Sequence, residues 1–237
     1  MSGGSGLTDD LHAHYTPLPV GTVLWHIYPS KYEARAFNPN SRNRFAVLPP
    51  PDRGMFYAGD SSACALWEAV LRNLVIEDRQ PQHIDASLLE GRSIVQLRLA
   101  QEVPILDLRA PHFRHLSPNP TRQSEWQRLC VVPERDYGQT HAAAVVLLAA
   151  APRAAGLSWH SRQITAQTAY VFYSPPLRPP AEFDVVETIA LDQPKGWALV
   201  DQALQIVGVE RLGASALAKE ILDELPPEEP EEDGSHP

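Results

Sequence analysis

Apolar residues recur along the chain with two different periods, and these periods predict a mixture of strands and helices. Residues 95–99 alternate apolar and polar side chains, which is the pattern of a half-buried strand. Residues 63–74 instead place apolar side chains at helical spacing, directly after Asp60 or Ser61, either of which can cap a helix. Residues 140–150 are rich in Ala and nearly all apolar, which predicts a buried helix.

The remaining predicted elements complete this mixed pattern. Further strands are predicted at residues 22–28, 53–58, 105–108, 168–173 and 184–191. Further helices are predicted at residues 197–207 and 215–225. Because strands and helices follow one another without a regular βαβ repeat, we expect an α+β fold and not a doubly wound parallel sheet.

The chain divides into one folded region between two segments of low complexity. Residues 1–19 are rich in Gly, Ser and Pro with little periodicity, and they are predicted to form a flexible lead. Residues 226–237 (PPEEPEEDGSHP) cannot bury apolar surface, which predicts an acidic disordered tail. Residues 20–225 contain no internal repeat and no Gly/Ser linker, so we expect a single domain there.

The net charge of −9 comes mainly from the C-terminal end of the chain. Seven acidic residues lie there: Asp223, Glu224, Glu228, Glu229, Glu231, Glu232 and Asp233. The rest of the chain has 20 basic and 22 acidic residues, so its near-neutral charge does not exclude an anionic ligand. Of the basic residues 17 are Arg, which suits bidentate phosphate or carboxylate binding, although a genomic bias towards Arg would give the same composition.

Several function classes are excluded or disfavoured by what the sequence lacks. Two cysteines cannot build a disulfide framework or a four-cysteine zinc site, and the nine histidines show no metal-ligand spacing. The sequence contains no dinucleotide-binding glycine motif, no P-loop, no zinc-protease motif and no α/β-hydrolase motif. It also lacks a basic stripe, which argues against direct nucleic-acid binding. The N-terminal MSGGSGLTDD is unlike a secretory signal and no apolar run spans a bilayer, so we expect a cytoplasmic protein without membrane contact.

The candidate chemistry lies in three polar stretches at the ends of predicted elements. The first is the Arg-rich loop FNPNSRNRF, which holds Arg44. The second is MFYAGDSSACALWEAV, a strand, a tight turn and a helix that carry Tyr57 and Glu68. The third is GLSWHSRQI, in which Ser161 and Arg162 follow a strand-like segment.

These stretches resemble the RES-domain family, the toxin components of bacterial RES–Xre toxin–antitoxin pairs. The matching motifs are LWHIYPSKYEARAFNPN, NRF, MFYAGDSSACALWEAV, YGQTHAAAVVLL and GLSWHSRQITAQTAYVFY, in the family's order. The resemblance implies an ADP-ribosyltransferase-like fold with mixed, mostly antiparallel sheets and flanking helices. It implies Arg44, Glu68 and Ser161 as catalytic residues, and His26, Tyr57 and Arg162 as substrate-binding residues.

The implied activity is the degradation of NAD by cleavage of its nicotinamide–ribose bond, through hydrolysis or through phosphorolysis with phosphate as co-substrate. NAD is then a substrate, and no cofactor or metal is expected. A carboxylate such as Glu68 suits this chemistry because the anomeric carbon becomes positively charged in the transition state. The planar fork of Arg44 suits the pyrophosphate or an incoming phosphate. Tyr57 is suited to stack on nicotinamide and Ser161 to hydrogen-bond the substrate.

The resemblance also implies a protein partner, an Xre-like antitoxin that covers the cleft, and a homodimer is an assembly known among such toxins. One residue departs from the family, because the first strand usually carries Arg where this chain has His26 in LWHI. Two alternatives stay open. One is an ADP-ribosyltransferase that modifies a protein target, because the acceptor enters from outside the NAD pocket. The other is a weakly active RES-fold binding protein, because His26 replaces the usual Arg.

Structural roles for the same residues also stay open on the sequence alone. Glu68 stands four residues before Arg72, the spacing of a helix salt bridge. Arg44 could pair with Asp52 or Asp60. Tyr57, Trp159 and His26 lie in apolar strands, where such residues are more often part of the core.

Overall fold

The computed structural model describes residues 11–48, 53–76, 83–178 and 182–212. Its strands are β1 (Thr16–Leu18), β2 (Val23–Pro29), β3 (Gly54–Gly59), β4 (Arg92–Leu99), β5 (Val103–Asp107), β6 (Gly156–His160), β7 (Thr168–Ser174) and β8 (Phe183–Ala190). Its α-helices are α1 (Ser62–Ala69), α2 (Pro120–Val131), α3 (Tyr137–Ala150) and α4 (Pro194–Gln205). Short 3₁₀ helices lie at Ala86–Leu88, His112–His115 and Glu134–Asp136. No helix among these residues is long and apolar enough to cross a bilayer.

All eight strands belong to one sheet, in the order β1-β5-β6-β7-β3-β2-β4-β8. Every pairing is antiparallel except that of β5 with β6. The prediction of an α+β fold with a mixed, mostly antiparallel sheet and flanking helices is therefore confirmed.

Alternation along the central strands divides the core between the two faces of the sheet. In β7, Val171 and Tyr173 pack in a cluster that includes residues of α2 and α3, whereas Tyr170 and Phe172 pack in a separate cluster. Successive strand side chains point to opposite faces, which explains this division. A third cluster contains most of the buried apolar residues of α1 and α4.

Strands β2 and β3 diverge near the centre of the sheet. They share a single paired position, Trp25 opposite Gly59. Each of the two strands is nevertheless paired along its length with its other neighbour, β2 with β4 and β3 with β7. The sheet therefore opens between β2 and β3, and residues of both strands line a cavity at this opening.

The structure extends and corrects several predicted boundaries. Helix α2 was not predicted, because only Trp126, Leu129 and Cys130 of its twelve residues are buried. Helix α3 begins three residues earlier than predicted, and only one face of it is buried. The predicted lead of residues 1–19 overlaps β1, a strand of only three residues whose pairing with β5 has no sequence signature.

Two predictions near the C-terminus lie outside the described residues. They are the helix at residues 215–225 and the acidic tail at residues 226–237. Both stay predictions.

Candidate functional site

A cavity of about 620 Å³ lies where β2 and β3 diverge, and we call it the β2–β3 cleft. Four of the predicted site residues line it: His26, Arg44, Tyr57 and Glu68. The other two, Ser161 and Arg162, do not line the cleft but contact Glu68 directly. The structure therefore brings all six residues together, although they come from widely separated parts of the sequence.

Helix α1 carries Glu68 to the wall of the cleft. The helix begins after Ser61, whose side chain accepts a hydrogen bond from the Cys64 N–H, and this confirms one of the two predicted caps. Gly59 lets the first turn of α1 approach β3 closely, because a Cβ at residue 59 would lie 2.8 Å from Cys64 Cβ. A larger residue there would push α1, and with it Glu68, away from the sheet.

The carboxylate of Glu68 is held by two donors from the segment after β6. The Ser161 hydroxyl donates to Glu68 Oε1 at 2.6 Å, and the Arg162 backbone N–H donates to the same oxygen at 3.0 Å. Both bonds are of the charge-assisted type, which is stronger than a bond between neutral groups. They fix one carboxylate oxygen and leave Oε2 for a ligand or a nucleophile.

Ser161 acts on Glu68 from behind the cleft. It is buried, with 1% of its surface exposed, and its hydroxyl oxygen accepts hydrogen bonds from the N–H groups of Gln163 and Ile164. These two donors orient the hydroxyl towards Glu68. Ser161 is therefore placed as a positioning residue, and Arg162 contributes its backbone N–H while its side chain is exposed.

The helix salt bridge between Glu68 and Arg72 does not form in the described part of the chain. Arg72 instead pairs with Glu134, with 3.5 Å between Nη2 and Oε2. Arg72 also lines the cleft, as does Arg92 at the start of β4. These two cations were not predicted as site residues, although the position of Arg72 one helical turn after Glu68 was a usable signal.

Arg44 is buried, with 3% of its surface exposed, and its guanidinium contacts no carboxylate among the described residues. Nη1 donates to the Leu129 carbonyl and Nη2 to the Val132 carbonyl, each at 2.9 Å. These carbonyls end α2, where the helix dipole favours a cation. The guanidinium also lies over the Tyr137 ring, 5.0 Å from its centroid.

The alternative partners of Arg44 have different positions. Asp60 accepts the Thr168 N–H at 2.6 Å, and Asp52 lies outside the described residues.

The residue after Arg44, Phe45, has a φ of 58°, in the left-handed region that residues with a side chain rarely adopt. Its N–H donates to the Thr140 hydroxyl and its carbonyl accepts from the Tyr173 hydroxyl, and these bonds hold the turn that places Arg44.

His26 is held in one tautomer by β3. Its Nδ1 bonds the Tyr57 carbonyl, which only accepts, so Nδ1 carries the proton. Burial lowers the pKa of His26 from 6.5 to about 4, although the bond to the Tyr57 carbonyl acts in the opposite direction. The neutral ring also packs against Phe56, with 4.0 Å between centroids. Its Nε2 is therefore an acceptor at neutral pH, whereas an Arg would supply donors and a charge.

Two more buried polar groups line the cleft without a hydrogen-bond partner in the described chain. They are the Tyr57 hydroxyl, which lies near Ser41 without a well-formed bond, and the Trp159 indole Nε1–H. Burial raises the pKa of Tyr57 well above its usual value, so the hydroxyl stays protonated. Trp159 packs edge-on against Phe45, as its interpretation as a core residue predicted, but its polar edge was missed.

A comparison with protein families matches residues 23–195 to the RES domain. The chain belongs to the RES-domain family. The matched segment contains all six predicted site residues of this RES domain, and it covers β2 to β8. A comparison with curated proteins finds no match.

The fold of this RES domain is also similar to a chain in the crystal structure of the MbcT–MbcA toxin–antitoxin complex of M. tuberculosis. The two share 12% identity with a TM-score of 0.50, over 73% of this chain and 85% of that chain. At this level of identity, the similarity is one of fold.

The chemistry available in this RES domain follows from the charges around the cleft. A carboxylate with one fixed oxygen stands on α1, and a buried guanidinium stands on the loop that precedes β3. Between them β2 and β3 contribute a neutral imidazole and a phenol. Such a cleft can bind an anionic ligand and stabilise positive charge that develops beside the carboxylate.

Proposed function

We propose that this protein is the toxin of a toxin–antitoxin pair and that it destroys NAD by breaking the nicotinamide–ribose bond in the β2–β3 cleft. The observation that carries the proposal is the Glu68 carboxylate, fixed by Ser161 and the Arg162 N–H at the wall of a cavity that also contains a buried Arg. Membership of the RES-domain family supports the assignment of this site.

The reaction needs little proton transfer to the leaving group. When the C–N bond between ribose C1′ and the pyridinium nitrogen breaks, its electron pair stays on that nitrogen, and nicotinamide leaves as a neutral molecule. The ribose then carries the positive charge of an oxocarbenium-like state, which the Glu68 carboxylate stabilises electrostatically. An oxygen of water or phosphate forms the new bond to C1′, and water loses its proton to the carboxylate or to solvent.

The other side chains bind and orient the dinucleotide. The neutral His26 accepts a hydrogen bond from a ribose hydroxyl through Nε2, since its Nδ1 is already bonded to β3. Arg44 supplies positive charge for the phosphates, with three of its five N–H donors left after its bonds to α2. Tyr57 offers its ring for packing against nicotinamide.

The partner is an antitoxin of the Xre type that covers the cleft and keeps NAD out. The neighbouring fold comes from a toxin–antitoxin complex, which supports a partner of this kind. Expression of the wild-type chain alone should arrest growth, whereas expression of a Glu68→Ala variant should not. Normal growth with the wild-type chain at equal expression would contradict the toxin proposal and favour a RES-fold binding protein.

Product analysis separates the acceptors. Purified protein is incubated with NAD, with and without phosphate, and the products are resolved by chromatography and mass spectrometry. Free nicotinamide with ADP-ribose indicates hydrolysis, and ADP-ribose 1-phosphate indicates phosphorolysis. Label from NAD on a protein, without a free ribosyl product, would replace NAD degradation by ADP-ribosyl transfer. No nicotinamide under any condition would refute cleavage.

A further inference from the structure

The β2–β3 cleft contains two buried hydrogen-bond donors that the described chain does not use. Trp159 is 3% exposed and its Nε1–H has no acceptor among the described residues, and the Tyr57 hydroxyl lies near Ser41 without a well-formed hydrogen bond. Both residues line the cleft. Burying a polar group without a hydrogen-bond partner is unfavourable. Two such donors in one cavity are therefore available to a ligand that accepts hydrogen bonds.

The charge beside these donors defines the chemistry of that ligand. Arg44 lines the same cleft, is buried, and has no carboxylate partner among the described residues. The residue after Arg44, Phe45, contacts the Trp159 ring, with 5.2 Å between centroids. The Arg44 guanidinium lies over the Tyr137 ring. The carbonyls of Leu129 and Val132 stabilise this cation but do not neutralise it, and an anionic ligand supplies a counter-ion.

We propose that Trp159 Nε1–H and the Tyr57 hydroxyl, together with the guanidinium of Arg44 in the same cleft, bind phosphoryl oxygens of the ligand. An indole and a guanidinium can only donate, and a phosphoryl oxygen can only accept. A carboxamide fits this set less well, because its NH₂ group needs acceptors. This inference rests on the proposed function and deepens it, since it assigns Trp159 as a binding residue and fixes where the diphosphate of NAD lies.

The phosphoryl group has two sources, the diphosphate of the dinucleotide and free orthophosphate. Isothermal titration calorimetry distinguishes them when wild-type protein is titrated separately with ADP-ribose, orthophosphate and nicotinamide. ADP-ribose carries the diphosphate but lacks the bond that is cleaved, so binding is measured without turnover. Nicotinamide carries neither phosphate and serves as the ligand that should not respond.

The variants are Trp159→Phe and Tyr57→Phe, which delete the two donors and keep an aromatic ring. We expect each to weaken ADP-ribose binding about tenfold or more, the effect of losing one hydrogen bond to a charged group. The matched control is Trp126→Phe. Trp126 is a buried residue of α2 that packs in the core and does not line the cleft. The control variant should bind ADP-ribose like the wild type.

Thermal unfolding separates ligand binding from packing. Neither donor forms a well-formed hydrogen bond within the described part of the chain, so Tyr57→Phe should leave the melting temperature unchanged or raise it while binding falls. Because Tyr57→Phe removes a single oxygen, it keeps the test valid if Trp159→Phe does not fold. A loss of stability in Tyr57→Phe with unchanged ADP-ribose affinity would show a structural role and overturn the proposal.

Each of the remaining outcomes either supports the phosphoryl site or overturns it. If the variants weaken the binding of orthophosphate but not of ADP-ribose, the phosphoryl site stands and its occupant is free phosphate. If they weaken the binding of nicotinamide alone, the proposal is wrong. If both variants bind all ligands like the wild type while the wild type releases nicotinamide from NAD, the phosphoryl site is wrong and NAD cleavage stands. If the wild type neither binds ADP-ribose nor releases nicotinamide, both proposals fail.

Discussion

The hydroxyl of Ser161 donates to Glu68 Oε1 at 2.6 Å, and this bond joins two segments that lie 93 residues apart in the sequence. The same hydroxyl accepts two backbone N–H groups, so its orientation is fixed by the turn after β6. Oε1 of Glu68 is thus held by the protein, and Oε2 is available in the cleft.

Replacing Ser161 with Ala should therefore slow NAD cleavage more than it weakens NAD binding. The lost bond to an ionised group corresponds to about 1.5–3 kcal/mol, or roughly a 10- to 100-fold fall in kcat, with KM changed less than about threefold. Steady-state kinetics of nicotinamide release measure both constants.

Ser158→Ala is the matched control for that variant. Ser158 is buried in β6, and its hydroxyl donates to Asp107, away from Glu68. Its variant should lose stability but keep kcat. Equal falls in kcat for the two serine variants would show that the effect comes from packing, and the positioning role of Ser161 would be wrong.

Arg44 should contribute to stability as well as to binding. A Lys at this position lacks the planar fork whose two nitrogens bond the carbonyls of Leu129 and Val132 separately. We expect Arg44→Lys to lower the free energy of unfolding by about 1–3 kcal/mol. Urea denaturation measures this change.

Arg42→Lys provides the comparison, since Arg42 is an exposed residue of the same loop. It should unfold at the same urea concentration as the wild type. If Arg44→Lys also does so, Arg44 does not anchor α2 and the structural part of its assignment fails.

The stability of the protein should fall on acidification through His26. Its pKa is about 4 in the folded protein and 6.5 when unfolded, so the unfolded chain binds the proton more readily between these values. The stability that neutral His26 provides is complete above pH 6.5 and is lost as the pH falls from 6.5 to about 4. The loss amounts to at most about 3 kcal/mol.

A His26→Asn variant, which keeps a donor for the Tyr57 carbonyl, isolates this effect. Urea denaturation of both proteins between pH 7 and pH 4 should give a steeper loss for the wild type. Parallel curves would show that His26 is not the group that titrates, because all other acid-sensitive groups are shared.

The sequence predicted the fold best where one face of an element is regularly buried. Strand β4 shows this: Val95, Leu97 and Leu99 are buried while Gln96 and Arg98 are more exposed, and the strand contains the whole predicted range. Helix α2 lacks such a period, because three buried side chains in twelve residues leave a mostly polar sequence. The three residues of β1 are too few to show any period, and their pairing with β5 is a tertiary effect.

The sequence motifs named six residues that the structure brings together, but they did not predict the contacts among them. The motifs identified Glu68 and Ser161, while helical spacing alone equally favoured a salt bridge to Arg72, which pairs with Glu134 instead. The bonds of Arg44 go to the end of the unpredicted α2, so no sequence reasoning could have supplied them. Trp159 had the signature of a core residue, and only the structure shows that its indole N–H has no acceptor in the part of the chain that the structure describes.

The most direct test of the account is the rate of nicotinamide release from NAD by the wild type and by Glu68→Gln. Gln keeps the shape of Glu68 and its bond to Ser161 but removes the negative charge that stabilises the ribosyl cation. We predict release by the wild type and a fall in kcat of about 100-fold or more in the variant, the typical effect of losing a preorganised electrostatic group. Equal rates in the two proteins, or no release by a folded wild type, would contradict the account.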